Sequence, residues 1–390
     1  MTPTSSSTAP AFDVVVIGAG IVGLAHAYEA LLQGLSVAVV DRAGGAVHGA
    51  SVRNFGHACI TPQTGEARGY ATEARRRWLD LSDAAGFTAR ESGTVVVART
   101  AAELAVVEEY TASDPDTERL DARAVVDRVP VDPGPVVGGA FLPLDLQVDP
   151  REAAPAIATW LASQGVRFSW RTTALTVESG RVTTSRGTFE ADRIVVCTNH
   201  DVDRLFPRLA EQVDVVRCRL HMLRADVDLR FPLTVPLLTG WSLLRYSGFA
   251  AMPSAGALRE SLRASLPAGV AWDLNQMYTS PFDGSLIIGD THVRDVDAPP
   301  FQDEAGFELV IAETARLFGA ERIRVRERWQ GVYASAPGRE FLIEEPLPGV
   351  NVVTVTTGIG MTTGLGIAPS VLAPRGTATS VPESSTAVAV

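Results

Sequence analysis

Residues Asp13 to Asp41 read DVVVIGAGIVGLAHAYEALLQGLSVAVVD. The apolar run Val14 to Ile17 predicts a buried strand. Gly18-Ala-Gly20-Ile21-Val22-Gly23 then opens a helical pattern in which Ile21, Leu24, Ala25, Tyr28, Leu31 and Leu32 share one side. A second apolar run, Val37 to Val40, ends in Asp41. Each part suits the holding of a dinucleotide. Gly18 permits a tight turn, Gly20 lets a pyrophosphate reach the backbone, and Gly23 lets the helix pack close to the sheet. The helix start, around Ile21 and Val22, offers free N–H groups and the positive end of its dipole to phosphates. Asp41 lies 23 residues after Gly18, where an acid can accept from a ribose hydroxyl. A bare GxGxxG carries little weight, but strand, helix and acid at these spacings make it specific.

The rest of the composition bounds the alternatives. The chain has 390 residues, 46% hydrophobic, with a net charge of −11, a pI near 5.1 and mean hydropathy +0.13. That suits two globular domains and argues against nucleic acid as a partner, since no basic stripe is visible. Arg75-Arg76-Arg77 reads as the solvated face of a helix whose inner side carries Tyr70, Ala74, Trp78 and Leu81. Three cysteines without a CxxC suggest a reducing, cytoplasmic setting. Six histidines form no HxH or HExxH pattern, so no metal is expected. No apolar run is long enough to span a bilayer. Residues 1–10 and 373–390 are expected to be a disordered leader and tail.

Along the chain, helices are predicted over 66–84, from the capping box Thr100–Glu103 to about 110, and from Asp149 to about 164. Short strands follow at 94–98, 166–170, 174–178, 182–185 and 188–190, with 194–197 as a central strand. From 213 to 330 the texture becomes strand-rich, with runs at 213–223, 243–249, 275–278 and 285–288 and one helix near 304–318. This predicts a mostly antiparallel second domain. The chain then returns to an apolar strand, 351–355, followed by Gly358-Ile-Gly360-Met361-Thr362 and a helix to about 372. A strand, glycine turn and helix so far from the first are expected to complete the same nucleotide domain. A second helix N-terminus there could stabilise the negative charge that builds on a reduced flavin. The fold class read is α/β, a Rossmann-type domain plus a second, mostly antiparallel β substrate domain (α+β). The first takes 11–78, 147–206 and 327–372; the second takes 79–146 and 207–326.

With these segments in place, the chain resembles the FAD-dependent D-amino-acid oxidase superfamily over about 11–372. Trp329-Gln-Gly-Val-Tyr333 and Gly358 to Gly364 resemble the stretches that flank the flavin in glycine oxidase. Ser51-Val-Arg53-Asn54-Phe-Gly56 resembles the flavin-facing loop of the dehydrogenase branch. Gly49 to Gly56, Leu244-Arg245-Tyr246 and Arg328 to Tyr333 resemble flavin oxidoreductases associated with aminophosphonate breakdown. The resemblance implies a DAO-like two-domain fold and FAD held through Gly18, Gly20, Ile21, Val22, Gly23, Asp41 and Arg42. Ser51, Arg53, Asn54, Gly56, Leu175 and Thr198 would add to it, as would Gly358, Gly360, Met361 and Thr362.

It further implies hydride removal from a carbon beside an amine, then imine hydrolysis, with electrons passing to oxygen or another acceptor. The glycine-oxidase pattern has a carboxylate-holding arginine where this chain has Tyr333, which makes a plain α-amino acid a poorer substrate. The sarcosine-oxidase branch carries a flavin-linking cysteine near this position. Residues 331–334 contain none, so dissociable FAD is expected. The expected substrate is a small anionic amine, a 2-aminoethylphosphonate or its N-methyl form, with Arg245 as the anion clamp. Glycine, sarcosine or D-amino-acid oxidation is the alternative, and a flavin-binding protein without turnover a further one. Tyr333 and His57 are candidate active-site residues. Arg53 is open between flavin, substrate and a surface ion pair. Arg217, Arg219 and His221 alternate on one strand face, exposed or pocket-lining.

Overall fold

The structure, a computed structural model, describes residues 11–46, 48–281 and 283–373. The predicted leader, and the tail beyond Ala373, lie outside these residues. Two large sheets dominate. The frame of the first is β1 (Ala11–Ile17), α1 (Ile21–Leu32), β2 (Val37–Val40) and, later, β3 (Gly187–Val196). β1 pairs in parallel with β2 on one side and with β3 on the other. Val14, Val15 and Val16 are all fully buried, because helices or loops cover both faces of a central parallel strand. Arg167–Ser169 extends the sheet beyond β2, and Ala174–Glu178 and Arg181–Thr184 extend it beyond β3.

The second sheet is built on β4 (Val216–Val227) and β5 (Ile323–Ser335), paired antiparallel from Val216↔Ser335 to Val227↔Ile323. All its pairings are antiparallel except Leu237–Leu238 beside Thr94–Ala98. The chain then re-enters the first sheet through Phe341–Leu347, which pairs antiparallel with β6 (Val350–Val355), itself parallel to β3. The final helix, α2's partner, lies across that sheet: α2 is Gly65–Ala85 and α3 is Gly360–Val371. Backbone contact between them is close. A Cβ on Gly366 would fall 2.0 Å from the Tyr70 carbonyl oxygen. The end of the chain therefore completes the domain that its beginning starts.

Four expectations need correction. The 243–249 run is not a strand: Ser242–Leu244 is a 3-10 turn and Ser247–Ala250 a helical turn. Leu243 and Phe249 still bury fully, but Ser242 Oγ bonds Asn275 Oδ1 at 2.8 Å and Gly248 packs on the Pro62 carbonyl. These anchors bend the backbone into a corner. The domain boundary at 327 cuts β5, whose whole length pairs with β4; that at 79 cuts α2. Arg77 is not solvated: it is buried, and it pairs with Glu29 and, at 2.6 Å, with Glu73. Arg75 and Arg76 do form surface pairs, with Glu91, Glu73 and Asp80. Arg217 and His221 form neither an exposed stripe nor a cavity wall. Arg217 pairs with Asp203 at 2.7 Å, and His221 packs edge-on to Trp272 and Phe307 while bonded to Thr291. Among the described residues, no helix is long and apolar enough to cross a membrane.

Candidate active site

A cavity of about 250 Å³ lies where the two sheets meet. Two helix N-termini open onto it: Gly20, Ile21 and Val22 of the α1 turn, and Gly360, Met361 and Thr362 of α3. Neither N-cap residue, Gly20 or Ile359, carries a side-chain cap, so each end keeps free N–H groups and a positive partial charge. The approach of α1 to the strands depends on glycine. Gly18 sits at φ +106°, and a Cβ on Gly23 would fall 1.8 Å from the Gly18 oxygen. Met361 is tied to α2 by Trp78 Nε1, which donates to its carbonyl at 2.9 Å. Thr362 Oγ1 accepts from the Cys59 N–H at 3.1 Å.

Ser51 and Asn54 line the cavity too. Ser51 Oγ accepts from the Ile21 N–H at 2.8 Å. Asn54 folds its own loop, donating to the Ala50 carbonyl at 2.8 Å and accepting from the Gly56 N–H at 2.7 Å. Gly56 stands outside the lining, at φ +69°. Asp41 lies at the turn itself: its carboxylate accepts from the Ala19 N–H at 2.6 Å and the Ala43 N–H at 2.7 Å. A carboxylate has further lone pairs for a ribose hydroxyl. Arg42 turns aside to pair with Asp201 at 2.6 Å. Thr198, at the end of β3, keeps a buried Oγ1 without a protein partner.

Arg42 and Gly56 apart, two expected contributors are turned to solvent, away from the cavity. Arg53 is exposed; its hydrogen bonds are through the backbone, its N–H donating to the Ala50 carbonyl at 3.2 Å and its carbonyl accepting from Trp329 Nε1 at 3.2 Å. The loop turns there so that Asn54 can point inward, and the arginine takes the solvent side. Leu175 is 56% exposed on the Ala174–Glu178 strand.

The far wall comes from the second sheet and the 242–250 corner. Arg245 and Tyr333 meet there: Arg245 Nη2 donates to Tyr333 Oη at 2.5 Å. Burial raises the Tyr333 phenol well above its usual range, so it stays protonated. The ring stands against Gly358, where a Cβ would be 3.0 Å from Tyr333 Cζ. Burial works against the Arg245 charge, but Tyr333, Asp290 and Asp273 outweigh it and raise its pKa. The contact between Arg245 and Asp273 is long, 3.7 Å.

Among the lining residues that escaped the sequence reading are Asp290, His292 and Asn275. Asn275 Nδ2 donates to Asp290 Oδ1 at 3.1 Å. Burial pushes the Asp290 carboxyl up to about 7, against the opposing pull of Arg245. Burial and the Arg245 charge hold His292 well below its usual value, so it is neutral. The available signal was an acid directly after the apolar run Leu286–Gly289.

His57 belongs to a buried cluster with Cys59 and Asp145, whose ligand-type atoms lie within 4.8 Å of one another. Its Nε2 lies 2.7 Å from Thr94 Oγ1 and 3.3 Å from Asp145 Oδ2. Burial, reinforced by Asp145, drives the Cys59 thiol far up, so it is protonated. Cys197 also lines the cavity, again as a thiol raised by burial.

Residues 13–371 match the sequence model of the family described as DAO, FAD dependent oxidoreductase. The chain belongs to that family: it is an FAD-dependent oxidoreductase rather than a flavin-binding protein without turnover. Among solved structures it is similar to glycine oxidase from Geobacillus kaustophilus, at 18% identity and TM-score 0.74, covering 93% of this chain and 94% of that one. L-proline dehydrogenase from P. horikoshii gives 17% and 0.76, covering 93% and 92%. FAD-bound L-alpha-glycerophosphate oxidase from Mycoplasma pneumoniae gives 17% and 0.72, covering 93% and 94%. No curated protein matches the sequence. The cavity fits FAD on its own evidence. Two helix N-termini face it, the first with its Ile21 N–H taken by Ser51 Oγ, and His57 Nδ1, Thr354 Oγ1 and Thr357 Oγ1 on its lining are buried without partners among the described residues.

Proposed function

We propose that the protein oxidises the C–N bond of a small anionic amine, with a 2-aminoethylphosphonate or its N-methyl form as substrate and FAD held without a covalent bond. The observation that carries this is Arg245, a guanidinium on the cavity wall whose hydrogen bond is to Tyr333 rather than to an acid. A planar fork suits two oxygens of an anion. Tyr333 and the unpartnered hydroxyl of Ser247, also on the lining, supply further donors, which favours a three-oxygen phosphonate over a two-oxygen carboxylate.

Bound FAD supplies the acceptor for a hydride leaving the carbon next to nitrogen. The α1 and α3 N-termini would hold it, with Ser51, Asn54 and Asp41 beside the turn. Met361 and Thr362 present the α3 dipole to whatever negative charge develops there. The protein's part is otherwise to orient the substrate and exclude water. Arg245 fixes the anion, and the apolar walls, Leu220 and Met277 among them, keep the reacting carbon dry. Oxygen or another acceptor closes the cycle.

A carboxylate-bearing substrate, glycine or sarcosine, is the second reading. It is supported by the fact that Arg245 would serve a carboxylate with the same fork. Anaerobic bleaching of the flavin's visible absorbance decides between them, with N-methyl-2-aminoethylphosphonate, 2-aminoethylphosphonate, sarcosine and glycine at matched concentration. Bleaching by the phosphonates alone is expected. Bleaching by sarcosine or glycine alone would overturn the phosphonate reading.

A further inference from the structure

Arg245 and the buried carboxylate of Asp290 share the cavity wall, with the half-buried Glu340 elsewhere on the lining. Among the described residues the one ion pair of Arg245 is a long one, with Asp273, and none joins it to Asp290. Yet both line the same space. We propose that Asp290 is a catalytic residue that binds the substrate's ammonium group and takes its proton, leaving the neutral amine from which the hydride departs. This rests on the anionic-amine reading, and it adds the second anchor that a zwitterion requires.

The geometry supports this role from three sides. Asp290 is 4% exposed, so its carboxylate is shielded from bulk water. Asn275 holds it in place twice: the Asp290 N–H donates to the Asn275 carbonyl at 2.6 Å, and Asn275 Nδ2 donates to Oδ1 at 3.1 Å. Oδ1 is thereby occupied and Oδ2 remains. His292 Nδ1 lies 2.8 Å from the Asp273 carbonyl. A carbonyl only accepts, so Nδ1 carries the proton and Nε2 is a lone pair. That lone pair lies 3.6 Å from Asp290 Oδ2, too far for a hydrogen bond, and it favours the protonated acid over the anion.

The step balances. One N–H bond of the ammonium breaks and one O–H bond forms on Asp290 Oδ2. An ammonium–carboxylate pair becomes an amine–acid pair with no change in total charge. The nitrogen lone pair so freed can form the C=N bond as the hydride leaves. An acid poised near 7 is well matched to this exchange at neutral pH. The groups that face it are Arg245, which favours the anion, Asp273, which opposes it, the neutral His292, and Tyr246 and Tyr333, both protonated. The cost of burying an isolated carboxylate is understandable if a cationic partner arrives with the substrate.

The test uses the FAD-loaded enzyme and Asp290→Asn. The rate of anaerobic bleaching is followed against pH, with whichever of the four amines reduces the wild type. The wild-type rate should rise as pH climbs through about 7. The variant should be roughly 100-fold slower at neutral pH, lose that limb, and recover about tenfold per pH unit as the substrate's own amine deprotonates. Asp290→Glu should restore part of the limb.

An independent readout is binding of ethanesulfonate, an anion without an amine whose charge is constant over this range, followed by the flavin's spectral shift. Its affinity should fall in the wild type as Asp290 ionises, and stay flat in Asp290→Asn. A variant that keeps the wild-type limb, or an ethanesulfonate affinity equally flat in both proteins, overturns the role of Asp290 and leaves the anionic-amine reading standing. If no amine bleaches the wild-type flavin, both fall together.

Discussion

Arg245 Nη2 and Tyr333 Oη are joined at 2.5 Å across 88 residues of sequence. The contact ties the 242–250 corner to β5 at the place where Tyr333 stands against Gly358. One end of the cavity thus carries a charge whose position is set by that corner and by β5 together. Arg245→Ala should weaken binding of an anionic substrate by about 100-fold, and Tyr333→Phe by about tenfold, in line with the loss of a charged and a single hydrogen-bonding partner. Flavin-perturbation titrations with ethanesulfonate measure both. Unchanged affinity in Arg245→Ala would remove the clamp assignment.

The cysteines bear on how FAD is held. Cys197 lines the cavity but is a buried thiol 3.9 Å from His26 Nδ1, not a reactive thiolate. Cys218 lies opposite Tyr333 in the β4–β5 register, and burial raises its pKa too. All the flavin is therefore expected in the supernatant after acid precipitation. Colour retained in the washed pellet would contradict this.

The α2–α3 contact predicts a cofactor phenotype from a residue that does not line the cavity. Gly366→Val would force α3 away from Tyr70, since even a Cβ meets backbone at 2.0 Å. Displacing α3 moves Met361 and Thr362. Purified Gly366→Val is expected to carry less than about a tenth of the wild-type flavin per chain, on the scale of several kcal/mol for overpacking against backbone. The visible-to-ultraviolet absorbance ratio reads this directly.

Two buried groups give stability opposite pH slopes. Burial holds His26 down to about 4, below its unfolded value near 6.5. The unfolded chain then binds more protons between these values, and stability falls as pH drops through that window, by roughly 3 kcal/mol in all. His292 acts in the same sense. Asp290, raised from 3.8 to about 7, does the reverse: the folded state holds the proton, and stability falls as pH rises from about 4 to 7. Asp290→Asn should unmask a urea midpoint that climbs from pH 4 to 6.5, and adding His26→Leu should flatten part of that climb. A wild-type-like pH profile in Asp290→Asn would exclude a raised Asp290 pKa.

Much of the nucleotide-binding frame was legible in the sequence, because its signals are local. Gly18, Gly23 and Asp41 sit within one strand–helix–strand unit, and their spacing alone implies the turn that the structure contains. The Gly358–Thr362 turn was legible for the same reason, and so were the capped helices, where Thr100 Oγ1 accepts from the Glu103 N–H at 3.2 Å and Asp149 Oδ1 from the Arg151 N–H at 2.8 Å. The corner at 242–250 was not. Its apolar spacing mimics a strand, and only the anchors at Asn275 and Pro62, distant in sequence, bend it.

The sequence by itself determined the class of fold and the cofactor, since short-range backbone geometry sets both the glycine turn and the helix ends that face a phosphate or flavin. Tertiary structure decided the far wall of the cavity. It turned Arg53 to solvent, buried Arg77 against Glu29 and Glu73, and brought Arg245, Tyr333 and Asp290 from three separate segments to one cavity. Such a set has no spacing to read. What makes it chemical is shared burial, which strengthens the Arg245 charge's hold on its surroundings and lifts the Asp290 carboxyl to about 7, and burial is a property of the packed chain.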